Sequence, residues 1–219
     1  LVDREEKYIG SISGKLAAYI LLAFGALISL MPLYWLVMTS LRPAGAEFTY
    51  PPEWIPSSFH PENYPVAWRR APFWLFTFNS VLVTFLATLG TLLTASMAAY
   101  AFARVPFYGR NVWFGLTLST MMLPWAVTLI PRFLLLKQLG LLNTYQGYII
   151  VLAADAFGIL LMKQFFESIP REVEEAAMVD GANRYVIFFR IVLPMATPAL
   201  TALTIFGFQG NWNNFMDAL

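Results

Sequence analysis

The 219-residue chain has no cysteine and a single histidine. A disulfide framework, a thiolate nucleophile and a Cys/His metal cluster are therefore excluded, and the redox compartment goes unmarked. The histidine, His60, sits in a proline-rich stretch, so imidazole catalysis has little to build on. Charge is also scarce. Only 12% of residues are Asp, Glu, Lys or Arg, against about 25% in an ordinary soluble domain. The net charge of +1 supplies no basic field for a nucleic-acid partner. No G-x-x-x-x-G-K-[ST] phosphate loop, internal repeat or low-complexity tract occurs.

What the chain does have is apolar length. Hydrophobic residues make up 58% of it, and the mean hydropathy is +0.61. A helix that crosses a bilayer needs about 20 apolar residues. Five runs approach this: 16–38 with Pro32, 78–102, 112–130 with Pro124 inside, 146–162 with Asp155 inside, and 191–208. Each is too apolar all round to lie on the surface of a soluble fold. Neighbouring helices can satisfy the carbonyls that the prolines free. The expected class is an all-α membrane protein, a single transmembrane domain over 1–219. The first run has no small-residue cleavage site and is long enough to span, so it reads as a retained helix.

Lys and Arg in the connecting segments set the orientation. With the N-terminus inside, the inner segments hold nine of them and the outer ones five. That bias places the N-terminus in the cytoplasm, and the segment 168–184 with it.

That segment, which contains "EEAAMVDGAN", is acidic where the flanking runs are apolar. Ser168 followed by Pro170 reads as a helix start. Glu172, Glu174 and Glu175 suit the positive end of the helix dipole. Ala176 and Ala177 are strong helix formers that leave room for another backbone, and Gly181 can end the helix at positive φ. The product is a helix of about three turns, shaped for docking. A helix lying on the membrane is the other reading, although such helices are usually basic.

From here the pattern lengthens. Glu175-Ala176-Ala177, three residues, Gly181, nine residues, Ile191, one residue, then Leu193-Pro194 resembles the EAA motif of membrane subunits of binding-protein-dependent ABC importers. The stretches "NSVLVTFLATLGTLLTASMAAYAFAR", "GLLNTYQGYIIVL", "FGILLMKQFF" and "GNWNNF" are similar to the carbohydrate branch, in particular the maltose permease G subunit. The resemblance implies a coupling helix around 172–180, with Glu174, Glu175, Ala176, Ala177, Asp180 and Gly181 at the contact with a cytoplasmic ATPase. It implies a second homologous permease subunit, two ATP-binding subunits that hold ATP and magnesium, and an extracytoplasmic solute-binding protein. It also implies a bacterial or archaeal inner membrane. No cofactor is expected in this chain. A sixth span usually follows the "WN" segment; the chain stops at Leu219, and that helix is expected to be missing from the sequence.

Asp155 is a candidate for the solute path, because an intramembrane carboxylate faces a cavity or a partner. A bond to a neighbouring helix is the alternative. Within "QGNWNNF", Trp212 can stack on a sugar ring while Asn211, Asn213 and Asn214 bond hydroxyls. That segment reads either as a non-helical cavity wall or as an interfacial belt. Asn79 with Ser80 suits a helix cap or interhelical hydrogen bond, and Met121, Met122 and Trp125 suit packing or a gate. The expected function is import of a sugar or oligosaccharide. Alternatives are an importer for a phosphorylated polyol, an intramembrane enzyme, and a secondary transporter. The enzyme lacks a catalytic pair, and the secondary transporter lacks detectable inverted repeats.

Overall fold

In the computed structural model, residues 2–46 and 50–214 are described, with side chains from Gly14 onward. Phe215, at the end of the "QGNWNNF" segment, and the chain end at Leu219 lie outside the described residues. All regular structure among the described residues is helical. The chain divides into two compact units, Leu1–Phe73 and Trp74–Leu219.

In the first unit, α1 (Val2–Ser40) runs through Pro32 as one helix. Its stretch Gly14–Ser40 is long and apolar enough to span. The following loop is held by polar anchors. Arg42 is buried, donates to the Glu53 carbonyl and lies 4.6 Å from the Trp35 ring. Asn63 Nδ2 donates to the carbonyls of Ser40 (3.0 Å) and Arg42 (2.7 Å). Asn63 also begins a short helix, α2 (Asn63–Arg70), just after His60 and its proline-rich stretch.

The second unit is organised on α3 (Phe73–Arg104), the second helix able to span by itself. Val83, Ala87, Thr91, Ala95, Ala99 and Ala103 recur every fourth residue and are all buried. Small residues at this spacing form a flat stripe against which other backbones pack closely, which matters where lipid offers no hydrophobic drive. Gly90 and Gly158 mark two such approaches. A Cβ at Gly90 would lie 2.8 Å from Ala153 Cβ, and one at Gly158 would lie 2.9 Å from Leu203 Cδ1.

The other three apolar runs are not straight spans. The run 112–130 is α4 (Arg110–Ser119), a 3₁₀ turn to Met122, and α5 (Trp125–Gln138), bent by 107°. Pro124 forces Leu123 into extended geometry (φ −82°, ψ 122°) and ends the first piece. The run 146–162 is α6 (Tyr145–Leu152) and α7 (Ala156–Ser168), bent by 46°. Asp155 therefore lies at a break and not inside a span. The run 191–208 begins earlier, with α9 (Arg184–Ile187), a π turn over Phe188–Val192 and α10 (Leu193–Met195). It bends by 77° at Ala196 into α11 (Thr197–Trp212). Pro194 and Pro198 each remove a backbone donor around that bend. Counted as bent pairs, these helices with α1 and α3 make up to five spans.

Breaks in an apolar bundle leave carbonyls that water does not reach, and α3 answers one of them. Thr91 Oγ1 donates to the Leu152 carbonyl at 3.0 Å, and Thr94 Oγ1 donates to the Ala153 carbonyl. Each hydroxyl replaces a helical donor lost at the α6–α7 junction.

Candidate functional site

Two sites lie at opposite ends of α3. The first is built on α8 (Arg171–Val179), within the segment 168–184. Ser168 does not cap it. That residue closes α7, and its hydroxyl donates back to Phe165 O at 2.7 Å. Pro170, extended at ψ 137°, precedes the first turn, and Glu172 and Glu174 fall within it. The stop is a Schellman motif: Ala182 N donates to Ala177 O (2.9 Å) and Gly181 N to Met178 O (3.0 Å). Gly181 has φ +83°, where a Cβ is costly. Two residues later Asn183 Oδ1 accepts from Val186 N at 2.9 Å and starts α9. "DGAN" is thus a stop followed at once by a start.

The two faces of α8 differ. Glu175, Ala176, Asp180 and Gly181 are exposed. Val179 is 87% exposed and Met178 48%, an apolar pair within an acidic face. Glu174 and Ala177 are buried, so these two candidates face the chain's own bundle. Glu174 Oε1 forms an ion pair with Arg104 Nε at 3.0 Å, and Tyr100 OH donates to Glu174 Oε2 at 3.1 Å. The other end of the Arg104 guanidinium donates to the carbonyls of Phe166 and Ile169, where α7 ends. Tyr100 packs against Phe166 (6.0 Å between centroids) and Phe188 (5.0 Å), so the charged cluster rests on an aromatic floor.

The second site is a cavity of about 1150 Å³ near the start of α3, walled by α3, α5, α6 and the end of α11. Asn79, Arg132, Tyr148, Asn211, Trp212 and Asn214 are among its lining residues. Neutral hydrogen bonds join many of its polar groups. Tyr145 OH donates to Asn79 Oδ1 (2.8 Å), Asn211 Nδ2 to Thr88 Oγ1 (3.2 Å) and Tyr148 OH to Asn214 O (3.2 Å). Asn79 thus makes an interhelical bond, as its residue type suggests. Trp212 stacks on Phe208, at 5.8 Å and 13°, and is 46% exposed. The segment from Gln209 to Trp212 is helical, which corrects the non-helical reading: its backbone is satisfied within α11. Asn213 turns back to Gln209 O at 2.9 Å and lies outside the lining.

Asp155 lies outside the cavity as well. Its carboxylate accepts from Phe157 N (3.1 Å) and Gly158 N (2.9 Å), capping α7. Met121, Met122 and Trp125 are exposed around the α4–α5 bend and do not line the cavity. Among the described residues, no group of three or more His, Cys, Asp or Glu is placed to hold a metal.

The sequence reading missed Arg104, Tyr100, Val179 and Arg132. Arg104 was visible as a lone cation in the last turn of a long apolar run, and Val179 as the residue one turn after Glu175. Arg132 counted as outer loop, whereas it belongs to α5 and lines the cavity.

Residues 90–218 match the family model described as binding-protein-dependent transport system inner membrane component. The chain is 36% identical over 201 residues to the diacetylchitobiose uptake system permease protein NgcG of Streptomyces coelicolor, covering 91% of this chain and 66% of that one. It is 36% identical over 207 residues to the sulfoquinovosyl glycerol transport system permease protein SmoH of Agrobacterium fabrum, covering 93% and 71%. It is 33% identical over 204 residues to the sn-glycerol-3-phosphate transport system permease protein UgpE of Yersinia enterocolitica, covering 90% and 73%. The chain thus spans about two thirds of the length of its relatives. A solved bacterial ABC transporter that imports the acidic polysaccharide alginate superposes with a TM-score of 0.80 at 30% identity, covering 91% of this chain and 70% of the matched chain. With a family match over more than half its length and these relatives, the chain belongs to the inner membrane components of binding-protein-dependent transport systems, the non-catalytic permease subunits of ABC importers.

Proposed function

We propose that this chain forms half of the path by which an ABC importer moves a sugar or oligosaccharide, with α8 as the coupling helix. The N-terminus and α8 lie on the cytoplasmic side. A second permease subunit completes the path, two partner subunits bind and hydrolyse ATP with magnesium, and an extracytoplasmic binding protein delivers the solute. The observation that carries the reading is the two-faced α8. One face is fixed to the bundle through Glu174 and Ala177, and the other presents Glu175, Ala176, Val179 and Asp180 to the outside. An apolar Val179 left exposed on an acidic helix suits a partner's cleft.

The ATPase dimer closes on ATP and displaces the cleft that holds α8. The helices behind it then rock as rigid bodies and switch the access of the central path. The cavity suits a polyhydroxylated solute. Amides and hydroxyls in neutral hydrogen bonds can exchange partners with sugar hydroxyls, and Trp212 offers a ring face. NgcG is named for a chitobiose derivative and the structural neighbour for alginate, both carbohydrates.

Arg132 in the cavity lining favours a second reading, an anionic solute such as a phosphorylated polyol, the class for which UgpE is named.

The test is to purify the assembled transporter with Glu175→Lys combined with Gly181→Pro. The variant should insert in the membrane yet lose its ATPase subunits, or lose ATP hydrolysis stimulated by the binding protein. Unchanged coupling would remove α8 from its role.

A further inference from the structure

The ion pair beneath α8 is buried on both sides. The Glu174 side chain is 11% exposed and that of Arg104 is 5% exposed. A charge pair so removed from water is weak evidence of stabilisation by itself, since apolar residues of similar volume often pack as well there. Its geometry has a different use. Arg104 belongs to the last turn of α3, Glu174 to α8, and the two carbonyls that Arg104 also engages belong to the end of α7 and the linker into α8. One guanidinium therefore joins three segments in a planar fork that a lysine cannot reproduce.

The opposite end of α3 is the cavity wall. Thr84 lines it, and Thr88 accepts from the cavity residue Asn211. From Thr84 to Arg104 is 20 residues, about 30 Å of continuous helix. Between those ends, Thr91 and Thr94 tie α3 to the α6–α7 break.

We propose that Arg104 is a positioning residue for transport: it clamps α8 to α3, so that displacement of α8 is delivered to the cavity wall and not absorbed at the joint. This rests on the reading of α8 as the coupling helix. The joint is stiff because one guanidinium pairs with the Glu174 carboxylate through Nε and donates to two carbonyls through Nη2. Tyr100 holds the second Glu174 oxygen, which leaves the carboxylate little freedom to swing away from the clamp.

The complete transporter, reconstituted in liposomes with its binding protein, tests this with Arg104→Gln, Arg104→Lys and Glu174→Gln. The measured quantity is solute imported per ATP hydrolysed, beside retention of the ATPase subunits. For R104Q and E174Q the ATPase subunits should remain bound and hydrolyse ATP, while import per ATP falls about tenfold. R104K, which keeps the charge but loses the fork, should fall between. An assembled R104Q transporter with an unchanged ratio overturns the proposal.

A second measurement needs no change at Arg104 and decides alone if R104Q fails to assemble. The chain has no cysteine, so spin labels at Arg171→Cys, exposed in the first turn of α8 and not among the residues offered to the partner, and at Met97→Cys (51% exposed) report the α8–α3 distance. That distance should stay constant between nucleotide-free and ATP-bound states, and a change of about one helical turn or more overturns the clamp. The double variant at Glu175 and Gly181 separates the two levels. If it uncouples while R104Q does not, the clamp alone is wrong. If it leaves coupling intact, α8 is not the coupling helix and the clamp falls with it.

Discussion

The two ends of α3 are built from opposite materials. At the α8 end, polar groups are buried, charged and multiply bonded: Arg104 reaches Glu174 and two carbonyls, and Glu174 reaches Arg104 and Tyr100. At the cavity end the groups are mainly amides and hydroxyls joined by neutral hydrogen bonds. A joint that passes force must not rearrange, and multiple charge-assisted bonds resist rearrangement. A wall that releases its solute must exchange partners cheaply, and neutral bonds of about 1 kcal/mol net each allow that.

The largest effect should come from breaking the stiff end asymmetrically. Glu174→Ala leaves the Arg104 charge buried with carbonyls alone for partners. It should destabilise the bundle by about 3 kcal/mol, read as a lower thermal midpoint of the purified transporter. Replacing both partners by methionine sharpens the comparison. R104M/E174M removes the stranded charge and should recover part of that stability, because apolar packing substitutes for a buried pair while the Phe166 and Ile169 carbonyls lose their donor. Import per ATP should not recover with it. Recovery of both together would make the pair mere filler and erase the contrast between the ends.

The soft end should respond in affinity and not in stability. Trp212→Ala removes an exposed ring face and one side of its stack on Phe208. Half-saturation for import should rise about tenfold, a loss of about 1.4 kcal/mol, with the thermal midpoint little moved. Asn211→Ala should act in the same direction and less strongly, since it removes one neutral donor to Thr88 Oγ1 and no ring face. A fall in the thermal midpoint as large as that of Glu174→Ala would show this wall to be as structural as the other end.

How much of this the sequence carries follows from what each feature depends on. The helical class, the apolar runs and the α8 segment are legible because periodicity, hydropathy and the "DGAN" punctuation are local. Gly181 at positive φ and Asn183 as a cap follow from residue type alone. The breaks were harder to see. Pro124 signals one, but a bend of 107° depends on what the freed ends pack against. At the α6–α7 junction no proline or glycine stands at the kink; the break rests on Thr91 and Thr94, about 60 residues earlier in the chain. The facing of Glu174 was hidden for the same reason. Both Glu174 and Glu175 suit a first-turn carboxylate, and only Arg104, seventy residues away, decides which of them turns inward.

Asp155 gives the finest test of the contrast, because it is a charge that belongs to neither end. A carboxylate in an apolar run suggests a solute contact, and the structure gives it a complete local role instead. Its two oxygens accept the first free N–H groups of α7, where the helix dipole favours negative charge. The neighbouring carbonyls of Leu152 and Ala153 are met by α3. Asp155→Ala should therefore cost about 1 kcal/mol, a modest drop in thermal midpoint. Asp155→Asn, which keeps an accepting oxygen, should cost less. Half-saturation for import should be unchanged in both, since Asp155 does not line the cavity. A selective rise in half-saturation at full stability would reopen Asp155 as a solute contact. It would also mean that the path extends past the α6–α7 break, along the middle of α3 where stiff and soft construction meet.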